Sequence, residues 1–150
     1  MSTAALYDRD FHRWCLEQAQ ALRALSAMRA NLAVPLDLDN LAEEIESLGK
    51  AQQRELASRY RVLLLHLLKW SRQPRRRTRS WRSTIATQRL EIARLLRQNP
   101  SLRARRAEEL AEAYDEARTL AAIETGLPLA TFPETCPFTF EEIEDPEFLP

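Results

Sequence analysis

The chain has 150 residues, zero formal net charge, 45% hydrophobic residues and only two glycines and two cysteines. Two isolated glycines exclude a Gly-rich phosphate loop or dinucleotide fingerprint. Two distant cysteines make neither a disulfide framework nor a metal-ligand spacing, so a reduced setting fits. Abundant Ala, Leu, Glu and Arg with few β-branched residues point to an all-α protein, and this length suits one domain spanning 1–150.

The N-terminal stretch has no apolar h-region, so no signal peptide is expected and the location is read as cytoplasmic. The first helix is expected over 8–30, capped by Asp8, with Phe11, Trp14, Cys15, Ala19, Leu22 and Leu25 on one face. His12 and Cys15, at i and i+3, could in principle form a thiolate–imidazolium pair. Cys15 lies in the apolar stripe, which favours an inert core thiol.

Pro35 separates this segment from the longest one, 39–71, which Asp37 or Asp39 should cap. Leu41, Ile45, Leu48, Leu56, Leu63, Leu67 and Trp70 fall in one stripe at helical spacing. Val62 to Leu68 is apolar nearly all round yet far shorter than the roughly 20 residues of a bilayer span, so it reads as core. Gly49 sits inside this helix and suggests a kink, a break or a close helix crossing. Gln52, Arg59 and His66 recur every seven residues within the apolar stripe, with Glu55 one turn before Arg59. They form either a structural polar line or the edge of a cleft. In the cluster Glu43, Glu44 and Glu46, a cation could bridge Glu43 and Glu46 with His12 or His66, although an acidic first turn is favoured by the helix dipole alone.

The next connection carries the strongest functional signal. Residues 51–106 hold sixteen basic and two acidic side chains, whereas 107–150 hold one basic and twelve acidic. Lys69, Arg72, Arg75, Arg76, Arg77, Arg79 and Arg82 cluster here, interleaved with Trp70 and Trp81. Arginine forks suit phosphate oxygens, and an exposed tryptophan could stack on a base. The acidic C-terminal third could instead cover and neutralise them.

A third helix is expected over 81–98, with Ser80 as N-cap and a stripe of Trp81, Ile85, Ile92, Leu95 and Leu96; Leu90 suggests a second contact face. Asn99, Pro100 and Ser101 read as stop and restart, with Asn99 left-handed and Ser101 capping a fourth helix over 102–124. Leu110, Ala113, Tyr114, Ala117, Leu120 and Ala121 should face inward, Glu108, Glu109, Glu112, Asp115 and Glu116 outward, and Gly126 should close the helix. Residues 126–150 contain too many aromatics for a free tail and should form a strap, with a capping box at Thr139 to Glu142.

The expected fold is thus a helical bundle of about four main helices, with a long central second helix and an extended C-terminal strap. The blocks YDRDFHRWCLEQA, DLDNLAEEIESLGK, LLLHLLKW, RSWRSTIATQR, PSLR and ETGLPLATFPETCPFTFEEI, in this order from about Tyr7 to Phe148, resemble the bacterial domain of unknown function family 29. The resemblance implies a small all-helical bacterial protein; the family has no established activity, so no site residue is carried over.

With no HExxH, Glu-x-x-His or GxSxG pattern, no catalytic residue, metal or cofactor is assigned. The first expectation is a non-enzymatic interaction module acting on an unknown protein partner or on a second copy of itself. The alternative is a nucleic-acid binder using residues 69–82, and a less favoured third is an enzyme or metal site beside the central helix. No membrane association is expected.

Overall fold

The computed structural model describes residues 2–29 and 31–150. It is all-α, with six α-helices and no strand among the described residues: α1 (Thr3–Arg9), α2 (Phe11–Ala27), α3 (Leu38–Arg72), α4 (Arg79–Gln98), α5 (Arg106–Thr125) and α6 (Phe140–Glu144). Three 3-10 turns join them at Pro74–Arg76, Pro100–Arg105 and Leu129–Thr131. α3, at 35 residues, rises about 52 Å at 1.5 Å per residue. Pro35, Pro74 and Pro100, each lacking a backbone donor, fall in the gaps before α3, α4 and α5, whereas α1 and α2 part at Asp10.

The chain forms two compact units. One comprises Met1–Arg54 with Leu96–Arg103, the other Glu55–Leu95 with Ala104–Pro150.

In the first unit the expected helix over 8–30 is divided. Asp8 lies within α1; the cap is Asp10, whose carboxylate accepts from the Arg13 backbone N–H at 3.0 Å. The expected end at Ala30 is outside the described residues. Asp37 caps α3, accepting from the Asn40 N–H. α3 runs through Gly49 unbroken, and the glycine marks a close crossing: a Cβ there would stand 2.9 Å from the Cys15 Cβ. This crossing explains a correction to the expected stripe. Leu41 and Leu48 are 41% and 52% exposed, whereas Ala42 is fully buried and Gly49 is buried too. Only small residues allow α2 to approach so closely, so the contact face is centred one position later than the leucines suggest.

In the second unit the core segment of α3 behaves as its composition demands. Leu63, Leu64, Leu67 and Leu68 are essentially inaccessible, each contributing about 1.5–3 kcal/mol by transfer from water. α4 begins at Arg79, not after Ser80, because the Thr78 hydroxyl caps it by accepting from the Trp81 N–H at 3.1 Å. Ile85, Ile92 and Leu95 are buried as expected, but Leu90 is 72% exposed, so α4 has no second contact face there. α5 starts four residues later than expected, after the 3-10 turn at Pro100–Arg105, and ends at Gly126 in the left-handed region (φ 72°). Glu109, expected outside, is buried beside Arg105, and burial raises its pKa.

The strap packs as a strap should. Phe132 and Ile143 are buried, and α6 carries the full capping box of Thr139 and Glu142. Having no ladder, the strap takes side-chain donors for its carbonyls: Arg118 Nε to Phe132 O at 3.0 Å, the Tyr114 hydroxyl to Pro133 O, and Arg89 to Ile143 O and Glu142 O. Burial pushes the Tyr114 phenol up to about 12, consistent with its role as a donor.

Candidate functional site

Residues 69–82 lie wholly in the second unit. α3 ends at Arg72, Pro74 starts a 3-10 turn holding Arg75 and Arg76, and Arg79 and Arg82 lie one turn apart at the start of α4. Arg72, Arg75, Arg76, Arg77, Arg79 and Arg82 are all exposed. None has an acid within ion-pair distance among the described residues. Among the described residues the acidic third hydrogen-bonds only one of them, Arg77, through Pro150 O. Arg61 pairs with Glu116 at 2.9 Å, Lys69 with Glu124 at 2.8 Å and Arg106 with Glu144 at 3.1 Å.

Lys69 therefore differs from its neighbours. Its ammonium is held by Glu124 and stands 4.6 Å from the centroid of Trp81. Arg77 is also engaged: its guanidinium lies 5.0 Å from the Trp70 centroid, and it donates to Trp70 O and Pro150 O. Both tryptophans are half-buried.

The polar line on α3 does not converge. Gln52 accepts from Asn99 Nδ2 at 3.3 Å in the first unit. Arg59 donates to Glu55 at 3.4 Å and to Gln88 at 3.5 Å, and Glu91 joins Arg94 at 2.7 Å. Glu55, Arg59, Glu91 and Arg94 form a half-exposed ionic seam of α3 on α4, each pair of the kind that contributes about 0–1 kcal/mol. His66 has a separate setting: its Nδ1–H donates to Val62 O at 2.8 Å, and burial lowers its pKa. Arg59 and His66 thus serve different partners.

The acidic cluster is occupied by cations. Arg23 donates to Glu46 at 2.8 Å and to Glu43 at 3.3 Å, and the Arg23 bond holds Glu46 below its usual pKa. Among the described residues no three His, Cys, Asp or Glu groups come together to hold a metal ion. Cys15 is fully buried and burial raises its pKa, the opposite of an activated thiol.

His12 instead belongs to a cluster in the first unit that sequence reasoning missed. Gln53 Nε2 lies 2.7 Å from His12 Nε2, His12 Nδ1 lies 2.7 Å from Ser101 Oγ, and Ser101 Oγ donates to Asp10 Oδ1 at 2.8 Å. The Ser101 N–H reaches Asp10 Oδ2 at 2.7 Å, and the His12 N–H reaches Asn99 Oδ1 at 2.9 Å. With Gln53 as donor, one tautomer satisfies the chain, with the proton on Nδ1. Asp10, His12 and Asn99 are buried.

The residue types are those of a hydrolytic triad, but the order is not. In a triad the imidazole stands between carboxylate and hydroxyl; here the hydroxyl stands between the other two. The cluster fastens the Pro100–Arg105 turn to the start of α2. It also corrects two local expectations, because Asn99 is not left-handed and Ser101 caps no helix. Asn99, Pro100 and Ser101 gave only a local signal; their partners some ninety positions away left no linear trace.

A family model described as the domain of unknown function DUF29 matches residues 6–149. Among solved structures, an alpha-helical protein of unknown function from Rhodospirillum rubrum is 31% identical, with a TM-score of 0.73, over 95% of this chain and 90% of that one. No curated protein matches. No helix among the described residues is long and apolar enough to cross a membrane.

Proposed function

We propose that this chain, which belongs to the DUF29 family of domains of unknown function, binds nucleic acid through the exposed arginines of residues 72–82. One observation carries the reading: five arginines, Arg72, Arg75, Arg76, Arg79 and Arg82, are exposed without an acidic partner among the described residues. Arg79 and Arg82 stand in the first turn of α4, where the helix dipole disfavours cations. A bound phosphate offsets both that effect and their mutual repulsion.

The test is binding of DNA and RNA by fluorescence anisotropy at low salt, with Arg72, Arg75 and Arg76 changed together to Ala. Arg77 is left intact because it also holds Trp70 and the strap. Weaker binding across all sequences supports the reading; no binding of either nucleic acid by the unaltered chain ends it.

A second reading, association with another protein or a second copy of the chain, draws on the first unit. Met28, Val34, Leu36, Leu41 and Leu48 are all exposed there. Sedimentation of the chain beside a Leu41→Glu, Leu48→Glu variant tests it, and a strictly monomeric chain with no captured partner counts against it. A cytoplasmic setting belongs to both readings, because both thiols are free. So does folding of 1–150 as a single domain, for which coincident unfolding transitions by circular dichroism and tryptophan fluorescence are the check.

A further inference from the structure

Single strands and duplexes offer different chemistry to a basic surface. A protein that binds single strands combines cations with aromatic faces on which bases stack, whereas a duplex hides its bases and presents phosphates.

The second unit offers the cations without the faces. Trp70 and Trp81 are half-buried, and each already has a cation over its ring. Phe138 and Phe148 pack on each other, Phe140 lies under Arg106, and Tyr60, Tyr114 and Phe132 are buried. None of the described aromatic side chains of this unit is exposed. Arg72, Arg75, Arg76, Arg79 and Arg82 are exposed, and among the described residues none pairs with a carboxylate or stacks on a ring, although Arg72 acts electrostatically on the Tyr114 phenol. Their planar forks match phosphate oxygens.

From this pairing of free guanidinium groups with occupied aromatic rings, we infer that the ligand of residues 72–82 is the phosphate backbone of a nucleic-acid duplex, held without stacking on any base. The inference rests on the nucleic-acid reading above and narrows it. Binding is then indifferent to base sequence and steeply dependent on salt. Five neutralised phosphates give a slope of about −4.5 in log affinity against log salt, or roughly a 500-fold loss between 50 and 200 mM.

The experiment titrates the full chain into a short labelled duplex and into each of its separated strands, following anisotropy and tryptophan emission over a range of sodium chloride concentrations. The expected result is preference for the duplex, a slope near the value above and unchanged tryptophan emission. Arg79→Ala with Arg82→Ala should reduce the slope by about two. Arg97→Ala with Arg103→Ala, exposed arginines outside the segment, should leave it unchanged. Circular dichroism confirms that each variant is folded. Single strands bound as tightly as the duplex, with quenched tryptophan emission, overturn the inference while leaving the nucleic-acid reading intact. Equal displacement by heparin of matched charge also overturns it, as does an equal effect of the two double variants. No binding of duplex or strands at low salt removes the broader reading itself.

Discussion

Replacing Gly49 with alanine sets two effects of known sign against each other. Alanine in a helix interior is favoured over glycine by about 1 kcal/mol. Against this, the new Cβ falls 2.9 Å from the Cys15 Cβ and 3.4 Å from the His12 carbonyl oxygen. Ordinary carbon–carbon contact is at about 3.5–4.0 Å. Neither neighbour is the tip of a flexible side chain, so relief requires α2 itself to move. Overpacking of this kind costs about 1–3 kcal/mol, and with rigid neighbours the upper part of that range applies. Gly49→Ala should therefore destabilise by about 1–2 kcal/mol, lowering the melting temperature by about 2–8 °C for a chain of this size. Thermal unfolding by circular dichroism reads the shift, and two second-site changes make the test specific. Cys15→Ala keeps the offending Cβ, so Gly49→Ala should cost as much on that background. Cys15→Gly removes it, so most of the penalty should vanish, the cycle cancelling the cost of Cys15→Gly alone. A Gly49→Ala chain that melts higher, or a penalty undiminished on the Cys15→Gly background, refutes the close-crossing argument.

Arg89 is buried and donates to Ile143 O at 2.8 Å and Glu142 O at 3.1 Å. Arg89→Met should cost about 2–4 kcal/mol in urea unfolding, because a buried and a half-buried carbonyl lose charged donors, an effect partly offset because a guanidinium no longer has to be buried. The same variant should cleave faster within the strap under limited proteolysis. Burial holds the His66 pKa below its unfolded value of about 6.5. The unfolded chain then binds more protons, so the His66 contribution is complete above that value and is lost as pH falls through the folded pKa. Between pH 7 and 5 the melting temperature of a His66→Gln chain should fall less than that of the parent; equal slopes refute the assignment. Cys15 is buried and Cys136 half-buried, both with pKa raised by burial. A thiol-reactive disulfide should modify Cys136 slowly in the folded chain and Cys15 only on unfolding, which peptide mapping reads directly.

Much of this fold was legible because its signals are local. Proline removes a donor wherever it stands, so Pro35, Pro74 and Pro100 marked the gaps. Gly126 and the Thr139 capping box act within a few residues, and both occur as read. The apolar run of α3 needed only its composition to be read as core. What failed depended on a neighbour. Periodicity finds a greasy face but not how near the next helix comes, so Leu41 and Leu48 outweighed Ala42 and Gly49, which are buried, Gly49 against α2. Leu90 and Glu109 were misplaced for the same reason, each judged by its own character without its surroundings. The Asp10, His12, Asn99 and Ser101 cluster was invisible because hydrogen bonds between residues some ninety positions apart impose no spacing. Of the candidate site, the arginines could be named in advance, but their exposure could not.

That exposure bears on why a neutral chain keeps its charges so unevenly placed. If the basic centre served only to be neutralised, the acids of α5 and the strap would reach the arginines. They reach Arg61, Lys69 and Arg106 instead, residues on the body of α3 and at the start of α5. These pairs fasten α5 and the strap within the second unit, a task that needs charges only along helix contacts. It makes no use of Arg72, Arg75, Arg76, Arg79 or Arg82, which repel one another and partly oppose the dipole of α4. Folding alone would be better served by neutral residues there. The proposed phosphate contact accounts for these arginines, and the occupied rings of Trp70 and Trp81 are the reason the proposal names phosphate rather than a base.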